Sequence, residues 1–250
     1  MVSRHGYGRR LRDEKHEVSS MEILRTIGLT KRFGEFFAVR NVSFSIKHLE
    51  TTALIGPNGA GKTTLLNLIT RRLNADAGRV IFNRRDITKE PPHKIVKLGL
   101  VRTFQIANIY PTLTVRENIM ISSLALGGGD EVDKIIETLG LSKYRDRIVG
   151  KLPLGIQRLV EIGAALALKP KMLVMDEPTS GLGLEDKLRL LELLREIEKR
   201  TTIMIIEHDM DFVFNLAKRI IVMHRGEIIA DGSPSEIADN KLVREIYLGE

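Results

Sequence analysis

The stretch Gly56-Pro57-Asn58-Gly59-Ala60-Gly61-Lys62-Thr63-Thr64 constrains the fold of this chain more than any other. From Gly56 to Thr63 it satisfies the spacing G-x-x-x-x-G-K-[ST], a loop that works only between a strand and a helix. Both flanks are supplied. Thr51–Ile55 is a short β-rich apolar run, and Leu65-Leu66-Asn67-Leu68-Ile69 continues with helical spacing. Glycines let the backbone turn so that successive N–H groups converge on phosphate oxygens, and the helix behind adds its positive N-terminal end. Lys62 brings a full charge to those phosphates, and the Thr63 hydroxyl is placed to ligate Mg²⁺. The loop therefore predicts a nucleoside triphosphate site.

The bulk of the chain narrows what surrounds that site. With 250 residues, 43% of them hydrophobic, it can bury a substantial core. No apolar run approaches the roughly 18 residues of a membrane span. The absence of cysteine excludes a disulfide framework, thiol catalysis and Cys-type zinc sites, and is compatible with the cytoplasm. The net charge of +7 is spread along the chain. We read it as a solvated surface around an anion-binding concavity. Four Tyr, eight Phe and no Trp leave little for base stacking, so no nucleic-acid partner is expected.

In chain order, residues 1–20 are polar, basic and without periodicity or an apolar h-region, which predicts a flexible tail and not a secretory signal. Regular patterning starts just after Met21, a candidate natural start. Strands are expected near Ile23–Leu29 and Ala38–Ile46. Phe33, between them, is either a base-stacking aromatic or a core residue beside a turn. A strand follows at Gly78–Phe82, and Pro91-Pro92 opens a helix near His93–Leu98. The next strand, from Gly99, stops at Gln105, whose carboxamide can reach a Mg²⁺ or a water. Residues 106–170 then turn helical, with periodic runs at Thr114–Leu126, Glu131–Leu139, Leu141–Arg147 and Leu159–Leu168 and a break at Gly127-Gly128-Gly129. The chain thus divides into a tail (1–20), the first half of a nucleotide-binding core (21–105), a helical insertion (106–170) and the second half of the core (171–250).

That second half opens with Met172–Glu177, an apolar run ending in two carboxylates, as a buried parallel strand with acids at its carboxyl end would. Behind a phosphate loop, Asp176 is suited to hold Mg²⁺ indirectly and Glu177 to polarise the attacking water. A helix is expected over Glu185–Arg200, with Leu188, Leu191, Leu194 and Ile197 on one face. The strand Thr202–Ile206 leads to Glu207 and then His208, an imidazole that can hydrogen-bond a γ-phosphate. A hairpin turning at Arg225-Gly226 joins Arg219–His224 to Glu227–Ala230, and the tail from Ser235 to Glu250 reads as helical.

Taken in order, Phe33, the Gly56–Thr64 loop, Gln105, Leu152-Pro153-Leu154-Gly155-Ile156-Gln157-Arg158, Met172–Glu177 and His208 resemble the ATP-binding cassette (ABC) ATPase family over about residues 22–250. Arg102-Thr103-Phe104-Gln105, Ile205-Ile206-Glu207-His208-Asp209-Met210 and the ending Glu245-Ile246-Tyr247-Leu248-Gly249-Glu250 are similar to its branched-chain amino acid importer ATPases. The resemblance implies an α/β phosphate-loop NTPase (RecA-like) core with a mainly parallel sheet, an N-terminal antiparallel β subdomain and an inserted helical subdomain. It implies ATP and Mg²⁺, with Phe33 stacking on adenine and Gly56, Pro57, Asn58, Gly59, Ala60, Gly61, Lys62, Thr63 and Thr64 cradling the phosphates. Thr63, Gln105 and Asp176 would serve the metal, Glu177 would be the general base and His208 would hold the γ-phosphate. Two cassettes, identical or different, would sandwich two ATP molecules, Gly155 reaching the other subunit's γ-phosphate. Transmembrane permease subunits and a substrate-binding protein would complete the system at the cytoplasmic face of the membrane.

Two departures stand out. The family's Leu-Ser-Gly-Gly-Gln signature is here Leu152-Pro153-Leu154-Gly155-Ile156, which lacks the serine hydroxyl, one N–H and the glutamine. Gly183 stands where an Asp or Asn is common. They raise the alternative of a regulatory cassette that binds ATP and hydrolyses it weakly. Another transported substrate, such as urea or lipopolysaccharide, is the other alternative.

Overall fold

The computed structural model describes residues 22–103, 109–129 and 131–248. Its first layer is an antiparallel sheet. Strands β1 (Glu22–Phe33) and β2 (Phe36–Lys47) are joined by a tight turn at Gly34-Glu35, so both run longer than their apolar patterns predict. After β3 (Thr51–Ile55) and α1 (Lys62–Ile69), strands β4 (Ala77–Phe82) and β5 (Arg85–Asp86) complete this sheet in the order β2-β1-β4-β5. Helix α2 (Pro92–Leu98) leads to β6 (Leu100–Arg102), shorter than expected. Phe104 and Gln105 lie outside the described residues.

The second sheet runs β10-β9-β3-β8-β7-β6 and is parallel except where β10 meets β9. Its members are β7 (Met172–Asp176), β8 (Thr202–Ile206), β9 (Arg219–His224) and β10 (Glu227–Gly232), with β3 and β6. All five residues of β3, β7 and β8 are buried, as strands covered on both faces require. Successive side chains serve opposite faces. Ala53, Ile55, Leu173, Met175, Ile203 and Ile205 join one core with residues from 115–166 and 190–216. Leu54, Met172, Val174, Met204 and Ile206 join the other, shared with α1 and the antiparallel sheet. Register is thereby coupled to burial. Asp176 lies opposite Ile206, and so does Leu54 from the other side.

Between β6 and β7 the described residues are mainly helical. Helix α3 (Val115–Leu124) begins at a capping box between Thr114 and Glu117, and α4 (Val132–Thr138) follows. Leu141–Arg147, expected as helix, holds only a short 3₁₀ turn at Ser142–Tyr144, because Gly140 at φ +63° has already stopped α4. Helix α5 (Leu154–Leu166) starts five residues earlier than its apolar periodicity suggests, directly after Pro153, which supplies the extended N-cap conformation.

Helix α6 (Leu184–Ile197) buries Leu190, Leu191, Leu194 and Ile197, whereas Leu188 is 54% exposed. A strict i+3 series drifts by about 60° per step, so four members cannot share one narrow face. Leu188 is the one that drifts out and Leu190 takes its place. After α7 (Met210–Leu216), the C-terminal stretch is two helices, not one: α8 (Pro234–Ala238) and α9 (Lys241–Leu248). Ser233 and Glu236 box the start of α8, and Asn240 Oδ1 accepts the Val243 N–H to restart the chain as α9. Among the described residues no helix is long and apolar enough to cross a membrane.

Truncating Leu194 to Ala is expected to destabilise the chain by about 2–5 kcal/mol. Leu188→Ala should stay within about 0.5 kcal/mol. Urea unfolding of the two variants checks the assignment of the buried face.

Candidate functional site

The phosphate loop is held where only glycine fits. At Gly56 (φ +153°) a Cβ would collide with the Met223 carbonyl of β9, and at Gly61 (φ +103°) with the Ala38 carbonyl of β2. The β9–β10 turn fastens the loop from outside, Gly226 N–H donating to Ala60 O at 2.9 Å while Gly226 O accepts from Arg40 N at 2.8 Å. Helix α1 starts at Lys62 with Gly61 as its N-cap and no side-chain cap, so its first-turn N–H groups face the loop's concavity. The buried Lys62 ammonium donates to Gly56 O at 2.7 Å and Pro57 O at 3.0 Å, which leaves a third N–H direction to meet a phosphate. Burial pushes Lys62 below the usual lysine range, while Glu177 and Asp176 pull it back up.

Asp176 closes β7 with a 3%-exposed carboxylate. Arg102 Nη2 donates to its Oδ2 at 2.7 Å, and Arg102 Nη1 donates to Asn67 Oδ1 of α1, also at 2.7 Å. Burial lowers the Arg102 pKa and the Asp176 charge opposes that shift. The last residue of β6 thus ties the acid at the end of β7 to the helix behind the phosphate loop. In the sequence Arg102 is a cation ending an otherwise apolar strand, and nothing local to it names a partner.

Glu177 has left-handed backbone geometry, φ +49°, uncommon for a residue with a side chain and costing roughly 1–3 kcal/mol. Its N–H donates to Ile206 O at 2.9 Å and its Oε1 sits 3.0 Å from His208 Nε2. Next to that pair the buried Glu207 carboxylate accepts from Thr179 N at 2.8 Å and from His208 N at 3.0 Å. Asp209 then caps α7 through Phe212 N and receives Lys187 Nζ at 2.6 Å. These two bonds, the lysine's first, hold its carboxyl below the usual range.

A cavity of about 340 Å³ brings together Phe33, Asn58, Gly59, Ala60, Gly61, Lys62, Thr63, Thr64, Glu177 and His208. Phe33 is 53% exposed and therefore not a core residue. Phe36, paired directly with it across the turn and 61% exposed, lines the same cavity, an aromatic that no sequence motif marks. A larger cavity of about 650 Å³ between α4, α5 and α6 gathers none of these groups.

Gly155 lies elsewhere, in the first turn of α5, where a Cβ would meet the Asp186 carboxylate of α6 at 2.5–2.6 Å. Ile156 is buried in the core, and the Gln157 side chain donates back to Leu152 O at 2.8 Å. Gln105 is outside the described residues. Among the described residues no group of three His, Cys, Asp or Glu side chains could hold a metal unaided. The oxygen donors near the loop, the Thr63 hydroxyl and the Asp176 carboxylate, are of the hard type that suits Mg²⁺ shared with phosphates.

Residues 39–180 match a family profile described as ABC transporter, and residues 227–250 one described as branched-chain amino acid ATP-binding cassette transporter. The chain is 42% identical over 258 residues to a probable branched-chain amino acid transport ATP-binding protein, LivG, of Methanocaldococcus jannaschii, covering 92% of this chain and 99% of that protein. Its backbone superposes on a solved ATP-binding cassette of an ABC transporter in an ADP conformation, with a TM-score of 0.85, 40% identity, 92% of this chain covered and 100% of the other. A dimeric cassette in a post-hydrolysis state, bound to ADP and Pi, superposes with a TM-score of 0.76 at 25% identity, covering 85% and 99%.

Removing the cation from the buried pair should be costly. Arg102→Met is expected to destabilise the chain by about 3–5 kcal/mol, because Asp176 stays buried without its hydrogen-bonded counter-charge. The double variant Arg102→Met/Asp176→Leu should regain part of that loss. Guanidinium unfolding of both variants reads the difference.

Proposed function

The chain belongs to the ABC transporter ATPase family, and on that basis we propose that it hydrolyses ATP to drive an importer of branched-chain amino acids. The observation that carries this reading is the convergence of Lys62, Thr63, Glu177 and His208 on one cavity at the carboxyl edge of the parallel sheet. The named substrate of the archaeal relative and the family match over residues 227–250 support the amino acid assignment.

Each residue has a distinct task. Phe33, with Phe36 opposite, offers an apolar face to the adenine ring. The backbone from Gly56 to Thr64 and the start of α1 receive the phosphates, and Lys62 adds its charge to the β- and γ-groups. Thr63 and Asp176, with Gln105, would hold Mg²⁺, which when bound neutralises phosphate charge. Glu177 accepts a proton from the attacking water. His208, 3.0 Å from the Glu177 carboxylate, donates to the γ-phosphate. Two cassettes close over two ATP molecules, Gly155 at the start of α5 facing the partner's nucleotide. The permease subunits hold the pair at the cytoplasmic face, and a substrate-binding protein delivers the cargo.

A second reading, weak hydrolysis in a regulatory cassette, has one observation in its favour. The Asp186 carboxylate packs on Gly155, so negative charge stands where the partner's γ-phosphate would approach. Single-turnover hydrolysis in homodimers and in heterodimers with a normal cassette separates the two readings.

The leading reading is tested on the chain assembled with the membrane subunits that co-purify with it. Glu177→Gln should lower the ATPase rate by about 100-fold or more while ATP still binds. Lys62→Ala should lose ATP binding itself. Equal hydrolysis by the wild-type and Glu177→Gln assemblies overturns the proposal, and uptake of radiolabelled leucine into proteoliposomes tests the cargo.

A further inference from the structure

Beyond strands β7 and β8 their pairing continues in an unusual way. Asp176 is the last paired residue of β7, and the next backbone bond, Glu177 N to Ile206 O at 2.9 Å, extends the ladder by one step. There the left-handed Glu177 turns the chain away and main-chain pairing ends. A side chain takes over. Glu207, 2% exposed, accepts the Thr179 N–H on Oε1 at 2.8 Å and the His208 N–H on Oε2 at 3.0 Å, with a longer contact of 3.5 Å from Asp209 N. One carboxylate therefore clasps the turn that carries Glu177 and the backbone that carries His208, 28 residues apart in sequence between Thr179 and Glu207. Their side chains meet at 3.0 Å directly beside it.

We propose that Glu207 is a positioning residue for hydrolysis, holding the Glu177 carboxylate and the His208 ring in register by bonding the Thr179 amide, in the turn that follows Glu177, and the His208 amide. This rests on the reading of Glu177 and His208 as the pair that acts on water and γ-phosphate. Glu207 does not line the nucleotide cavity, so it acts through the other two and touches no reactant. The chemistry explains the residue type. An ionised carboxylate has two acceptor oxygens and no donor, so it can serve both N–H groups with charge-assisted bonds. A glutamine of the same shape has one acceptor oxygen and turns an NH₂ group toward the other N–H, so the clasp must open at one end. An aspartate keeps both oxygens but is one methylene short.

The test uses Glu207→Gln in the assembled transporter. Affinity for ATP, measured by calorimetry with EDTA present, should stay within about twofold, since the phosphate loop is untouched, while kcat falls roughly 10- to 100-fold from misplacement of the reacting groups. Amide exchange at Thr179 or at His208 should quicken by about tenfold, the equivalent of one lost charge-assisted hydrogen bond, with the β3 amides unchanged. In a Glu177→Gln background the substitution should lower the residual rate no further. Should Glu207→Gln fail to fold, Glu207→Asp is read by the same assays, with quickened exchange at Thr179 expected. Wild-type kcat with unchanged exchange overturns the inference, as does an equal loss of ATP affinity and rate. A wild-type assembly without ATPase activity would instead sink the proposed function, and amide exchange would still report on the clasp.

Discussion

Parallel strands leave all their carboxyl ends on one edge of a sheet, and in this chain three of them stop at the same level. Leu54 of β3 and Asp176 of β7 both lie opposite Ile206 of β8, so the next residues along each strand, Ile55-Gly56, Glu177 and Glu207-His208, emerge side by side. Burial is what fixes that level. Alternate side chains of the three strands belong to two different cores, and a slip of one residue would send Ile205 and Met204 to each other's side. Apolar packing on both faces is thus what aligns a lysine, a glutamate and a histidine that share no sequence neighbourhood. The chemistry at the edge is a by-product of burial in the middle.

Local signals made much of this legible in the sequence. The spacing of the glycines, the apolar runs ending in polar residues at 172–177 and 202–208, and the Arg225-Gly226 turn each carry their own stereochemical demand. What escaped reading was long-range or rotational. Arg102 meets Asp176 only because β6 pairs with β7, and no pattern in three residues announces that. Phe36 joins Phe33 because the turn between them is two residues long, which fixes their cross-strand pairing. The buried face of α6 departs from an i+3 series because such a series drifts around the helix. The start of α5 was set by a proline, not by periodicity. Gln105 lies outside the described residues, so its place at the site rests on the resemblance alone.

The stretch from α3 to α5 shares an apolar core with the parallel sheet and with α6, and contacts of other kinds add to it. Arg189 of α6 donates to Leu139 O and Gly140 O at 3.2 Å, bonding the carbonyl end of α4. At the start of α5, Leu154 packs where a side chain at Gly181 would stand, and Asp186 packs on Gly155. Gly181 belongs to the loop that begins only a few residues after Glu177. The start of α5 and the loop that follows Glu177 are therefore in direct contact, so neither can shift alone.

Position 177 is where the interests of the fold and of the chemistry part. Its backbone sits in a region that glycine enters without penalty and asparagine with little, yet a glutamate occupies it. A search for hardier variants that scored only survival of heat would drift toward glycine there, gaining stability as it discarded the carboxylate. Breeding this chain for robustness and for the proposed hydrolysis would pull the same codon in opposite directions.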